Sequence, residues 1–105
     1  MTTTEYERSV LRSWNHTLSY NDQLLNAALG LGEVGELQNL IKKMLFHRDS
    51  RVNSESLLDE LGDAEYYFTI LRLKLGFTED QVRIYNKEKL ERRYPVAFKE
   101  GGGIR

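Results

Sequence analysis

The sequence predicts an all-α fold, and three observations support this. Apolar residues in the longer segments recur at helical spacing. Capping signals open several of those segments, and Gly76 offers a stop. The composition is 40% hydrophobic and 30% charged, with one proline in 105 residues, a balance that suits soluble helices. A chain of this length builds one modest core. We read residues 1–98 as a single domain of four helices and residues 99–105, with three glycines, as a flexible tail.

The first helix is expected from about Thr4 to Trp14, with Thr4 and Glu7 in capping-box spacing. Val10, Leu11 and Trp14 share one side. Trp14 serves either as core or as a stacking platform at the mouth of a site. His16 reads as a surface or satisfied histidine. After a break at residues 15–20, Asn21 or Asp22 caps a second helix reaching about Phe46. Gly30, Gly32 and Gly35 each disfavour that helix by up to about 1 kcal/mol relative to alanine. They fit either close approach of a neighbour or a kinked helix. Lys42 and Lys43 suit its C-terminal dipole, or alternatively a phosphate. Residues 47–53 form a polar connector. Asn53 or Ser54 then caps a third helix ending at Leu75. Thr78 and Gln81 form a capping box for a fourth, which runs to about Arg93 before Pro95 forbids continuation.

Two acid pairs carry the chemistry. Glu33 and Glu36 lie three residues apart on the second helix, and Glu60 and Asp63 repeat the spacing on the third. Such residues share a helix face. At about 100° per residue, Leu31, Val34, Leu37, Leu40, Ile41, Met44 and Leu45 define one apolar arc. Leu57, Leu58, Leu61, Ala64, Tyr67, Phe68, Leu71 and Leu75 define the other. Glu33 and Glu60 fall inside these arcs, while Glu36 and Asp63 fall at their edges. Four clustered carboxylates would repel one another, and a divalent cation such as Mg²⁺ or Mn²⁺ relieves that. The rival account is an acid–base network with Lys42, Lys43 or Arg72. Glu65 also falls within its arc without a paired acid, so arc position alone does not make a ligand.

Other classes find less support. A formal net charge of −1 gives no reason to expect binding to a nucleic-acid polymer. The absence of cysteine removes thiolate chemistry and fits a reducing compartment. No apolar run approaches a membrane span, and the N-terminus lacks signal-peptide features. A cytoplasmic protein is expected.

Read together, the motifs resemble a known family. The segment Ala28-Leu29-Gly30-Leu31-Gly32-Glu33-Val34-Gly35-Glu36-Leu37, then Ile41-Lys42-Lys43, then Leu58-Asp59-Glu60-Leu61-Gly62-Asp63, is similar to the MazG-like nucleotide pyrophosphohydrolases. Asn86-Lys87-Glu88-Lys89-Leu90-Glu91-Arg92-Arg93-Tyr94-Pro95 resembles the N-x-x-K-L-x-x-R-Y-P ending of small members. Many of those read G-L-A-G-E-A-G-E where this chain is one residue shorter, with the Glu-x-x-Glu spacing intact. The resemblance implies a four-helix bundle completed by assembly into a homodimer or homotetramer. It implies Mg²⁺, or Mn²⁺, held by Glu33, Glu36, Glu60 and Asp63. The implied reaction cleaves a nucleoside triphosphate (NTP or dNTP) between its α and β phosphates. Apart from the resemblance, the position of Glu36 at the rim of its arc makes it the candidate general base, with Glu60 also placed in catalysis. Lys43, Asn86, Lys89 and Arg93 would contact phosphates, and Tyr67 the nucleotide. Phosphoribosyl-ATP pyrophosphatase and a non-catalytic helical oligomerisation or regulatory module are the alternatives.

Overall fold

A computed structural model of the chain describes residues 1–48 and 51–96, and every regular element within them is helical. The elements are α1 (Thr3–Ser13), α2 (Tyr20–Glu33), α3 (Glu36–Lys42), a π-helical turn (Lys43–His47), α4 (Ser54–Lys74) and α5 (Glu79–Arg93). The four expected helices are present, the second broken into α2, α3 and the π turn. The chain divides into two compact units, one from Met1 to Leu75 and one beginning at Gly76. The tail expected at residues 99–105 lies outside the described residues.

In the first unit α4 is the central element, contacted by α1, α2 and α3. Val10 of α1, Ala27 of α2 and Ile70 of α4 form the buried core, with Tyr6, Leu11, Trp14, Tyr66 and Leu71 packed against it. Polar groups tie the same helices together. Gln23 is buried and bridges two neighbours. It donates to the Leu18 carbonyl at 2.8 Å and accepts from the Trp14 indole at 3.0 Å. Tyr20 donates from α2 to the Lys74 carbonyl of α4 at 3.1 Å. Arg72 is buried on α4 and forms an ion pair with Glu7 of α1. Burial, and then the carboxylate of Glu65, pushes the Tyr6 phenol up from its ordinary pKa, against the lowering effect of its hydrogen bond with Thr69.

Several caps differ from the sequence reading. Thr2 and Glu5, not Thr4 and Glu7, form the capping box of α1. Both pairs have the right spacing, but Glu7 is engaged by Arg72. Ser19, rather than Asn21 or Asp22, caps α2, its hydroxyl accepting from the Asp22 amide at 3.1 Å. Asn53 caps α4, accepting from the Ser56 amide at 3.0 Å. Gly76 follows α4 with φ 84°, the left-handed conformation that suits glycine. Thr78 and Gln81 form the expected capping box of α5. His16 donates to the Leu11 carbonyl at 2.6 Å, so its ring is satisfied at the end of α1.

The second helix does not run continuously to Phe46. Its backbone tightens between Leu31 and Gln38 into bonds spanning three residues. Val34 donates to Leu31 at 3.2 Å, Gly35 to Gly32 at 3.1 Å, Leu37 to Val34 at 2.8 Å and Gln38 to Gly35 at 3.0 Å. Glycine lowers the helix preference there, and α3 starts without a side-chain cap. The apolar arcs also need correction. Leu31, Val34, Leu37, Leu40 and Ile41 are half-buried, but Met44 and Leu45 are exposed. On α4 and its C-cap residue Leu75, Leu58, Leu61, Phe68 and Leu75 are exposed, while Leu57, Ala64, Tyr67 and Leu71 are half-buried. The apolar surface of α4 is wider than its neighbours within the first unit cover.

Candidate functional site

The break between α2 and α3 sits where the first acid pair lies. Glu33 is the last residue of α2 and Glu36 the first of α3. The three-residue bonding between them approaches three residues per turn, which brings positions i and i+3 into line. On α4, Glu60 and Asp63 are one turn apart in unbroken helix. Both pairs open onto one cleft of about 140 Å³, lined by Gly30, Val34 and Tyr67 together with Glu33, Glu36, Glu60 and Asp63. The structure thus brings the four sequence-predicted acids and Tyr67 together.

Their burial departs from the wheel. Glu33, expected inside the apolar face, is exposed, as are Glu36 and Asp63, and Glu60 is only half-buried. For Glu33 the reason is the break, because a constant 100° step does not continue past residue 33. For Glu60 the reason is that its side of α4 opens onto the cleft. Among the described residues, no group of three or more histidine, aspartate or glutamate side chains is gathered closely enough to hold one ion. Four carboxylates therefore line one cleft without forming a closed ligand shell. As donors they are hard oxygens alone, a set suited to Mg²⁺ or Mn²⁺ and not to a soft metal.

A second cavity, of about 400 Å³, shares Gly30, Glu33 and Tyr67 with the acid cleft. Its other lining residues are Trp14, Asn15, Leu18, Asn26 and Leu29. Trp14 is fixed there from several directions. Its indole N–H donates to Gln23, and its ring lies 6.1 Å from Tyr66 at a tilt of 56°. Tyr66 meets Tyr67 edge-on, with centroids 5.3 Å apart, and accepts from the Ser13 hydroxyl at 3.0 Å. The Tyr67 ring lies directly on the backbone of α2 at Gly30, where a Cβ would come within 2.4 Å of it. One of the two glycine readings, close approach of a neighbour, thus applies at Gly30. At Gly32 nothing lies within 4 Å of such a Cβ, and the helix break accounts for that region instead.

Lys43 is half-buried in the π turn and does not line the acid cleft. Asn86, Lys89 and Arg93 are all on α5, in the second unit. Their three- and four-residue spacing puts them along one side of that helix. Lys87, on the same helix, is held to Glu91 one turn on, and that hydrogen bond pushes its ammonium pKa up.

No protein-family model matches the chain, and neither a curated protein nor a solved structure does. The sequence reading identified the acids and Tyr67. It did not single out Asn26, which lines the second cavity. Asn26 lies seven residues before Glu33, two helical turns along the same face, and that spacing was the available signal.

Proposed function

We propose that this chain is a metal-dependent nucleotide pyrophosphohydrolase of MazG-like type, converting an NTP or dNTP to the monophosphate and pyrophosphate. The observation that carries this reading is the joining of two unlike spaces through shared residues. One is a cleft lined by four carboxylates, and the other is a cavity with aromatic and amide walls. A nucleoside triphosphate has the same polarity, a polyanion that needs a cation at one end and a flat, partly polar base at the other.

In this reading Glu33, Glu36, Glu60 and Asp63 would hold Mg²⁺ or Mn²⁺, which when bound would supply positive charge to offset that of the substrate. Glu36, exposed at the rim, accepts the proton of the attacking water. The water oxygen bonds to a phosphorus of the α–β anhydride, the bond from that phosphorus to the bridging oxygen breaks, and monophosphate and pyrophosphate separate. Lys43 is the candidate within the first unit for stabilising the departing charge. Tyr67 borders both spaces and would orient the nucleoside between them.

Among the described residues, the cavity lining contains no lysine, arginine or histidine. That favours an ordinary nucleotide over phosphoribosyl-ATP, which carries a further phosphate beyond its base. The loosely gathered acids favour a second reading, a non-catalytic helical module. One experiment separates the two. Pyrophosphate release is measured for a panel of NTPs and dNTPs, with and without Mg²⁺, for wild type and Glu60→Gln. The hydrolase reading expects release that requires the metal and falls by about 100-fold or more in the variant. A folded protein that releases no pyrophosphate from any nucleotide would favour the module.

We also propose that a second copy of the chain covers the exposed apolar side of α4, giving a homodimer or homotetramer. Leu58, Leu61, Phe68 and Leu75 are 67%, 49%, 41% and 52% exposed. Among the described residues no helix is long and apolar enough to cross a membrane, so a bilayer-spanning role does not explain that surface.

A further inference from the structure

We propose that Asn26 is the specificity-determining residue of the second cavity, reading the polar edge of the base; this rests on the cavity being the base site of the nucleotide reading above. The other walls of the cavity are less suited to telling bases apart, Tyr67 offering one hydroxyl at the border with the acid cleft. Leu18 and Leu29 offer only apolar contact. Trp14 presents a ring, and its one polar group is committed to Gln23 at 3.0 Å. Stacking on such a ring tolerates every base. The Asn15 side-chain oxygen already accepts from the amide and hydroxyl of Thr17, at 3.0 and 2.6 Å. Glu33 belongs to the acid cleft as well as the cavity and is claimed by the phosphate end.

Asn26 differs from all of these. It is an exposed side chain on the cavity wall, and no hydrogen bond engages its amide among the described residues. An amide offers a donor and an acceptor side by side, the arrangement that pairs with a base edge carrying the complementary two groups. Its place in the helix suits the task. Asn26, Gly30 and Glu33 follow one face of α2, and seven residues at 1.5 Å each set Asn26 about 10 Å from Glu33 along the axis. That matches the reach of a nucleotide from its first phosphate, across the sugar, to the far edge of its base. Gly30, between them, lies against the Tyr67 ring.

Trp14 is the single tryptophan of the chain and lines the cavity, so its fluorescence reports occupancy without turnover. The test titrates wild type, Asn26→Ala and Asn26→Asp with the nucleoside monophosphates of the common bases, which are products and are not consumed. In wild type one base quenches at the lowest concentration. Asn26→Ala weakens that base by about 10- to 100-fold and the others by under about threefold, so the ranking flattens. Asn26→Asp keeps the size and the acceptor but loses the donor, and it changes the order of the bases. A ranking left unchanged in both variants, or all bases weakened equally, overturns the assignment to Asn26. No quenching by any nucleotide overturns the base cavity itself. Pyrophosphate release by wild type, measured in parallel, tests the hydrolase independently. Base-ranked quenching without release removes the reaction and leaves Asn26 as the reader.

Discussion

At the scale of single residues, the contact between Gly30 and Tyr67 does most to shape the site. Helix propensity alone would favour alanine over glycine at position 30 by about 1 kcal/mol. Packing opposes it, because an added Cβ would lie 2.4, 2.5 and 2.6 Å from three atoms of the Tyr67 ring. The ring borders both the acid cleft and the second cavity, so its displacement changes both. Gly30→Ala is therefore expected to lose about 1–3 kcal/mol of stability, the range for overpacking, and to weaken nucleotide binding. Gly62 provides the contrast. It lies inside α4 and a Cβ there meets nothing within 4 Å. Gly62→Ala should gain about 0.5–1 kcal/mol. Thermal or urea unfolding of the two variants beside wild type checks both signs. A gain at position 30 would mean that Tyr67 moves aside without cost and does not fix the cleft.

At the scale of elements, the ion pair between Arg72 and Glu7 joins α1 to α4, and through α1 it supports the position of Trp14. Arg72 is only 5% exposed, so its charge is removed from water and relies on Glu7 and its other partners. Removing Glu7 takes away one of the groups that compensate this charge. Glu7→Ala should cost about 3 kcal/mol or more in unfolding free energy. Restoring packing by Arg72→Met in the same chain should recover part of it, as a double-mutant cycle would show. Simple additivity of the two losses would remove the pair as the tie between these helices. Such a pair was hard to read from sequence, because nothing local in Glu7 or Arg72 names its partner 65 residues away. The caps show the same limit on a smaller scale. Thr2–Glu5 and Thr4–Glu7 have identical spacing, and the distant Arg72 engages Glu7. What depends on local spacing was legible: the helical class, the capping box at Thr78 and Gln81, the stop at Gly76, and the acids at i and i+3. The convergence of four acids and Tyr67 on one cleft followed from two helices each presenting an acid face. Their burial did not: for Glu33 the wheel assumes a constant turn and the chain tightens between Leu31 and Gln38, and for Glu60 the helix side opens onto the cleft. The second cavity was not legible because its wall combines the segment after α1, α2 and α4.

At the scale of the whole molecule, the small buried core and the exposed apolar side of α4 belong to one argument. Only Val10, Ala27 and Ile70 are fully buried hydrophobic residues among those described. A domain this small is marginal when it buries little. Leu61, Phe68 and Leu75 recur at seven-residue intervals on α4, with Leu58 one turn before, the repeat by which helices pack against partners. Large exposed apolar patches mark interaction surfaces, and a second copy offers the same stripe in return, as a two-fold interface requires. Light scattering at micromolar concentration should accordingly give at least twice the 12.3 kDa chain mass. Phe68→Glu places a charge in the middle of the stripe and should lower that mass to one chain, with a fall in melting temperature that depends on protein concentration in wild type and not in the variant. Phe68 lines neither the acid cleft nor the second cavity. Its effect on turnover would therefore report assembly and not a lost contact to substrate. A wild-type mass of one chain would leave the stripe to a different partner and require the first unit to stand on its own core.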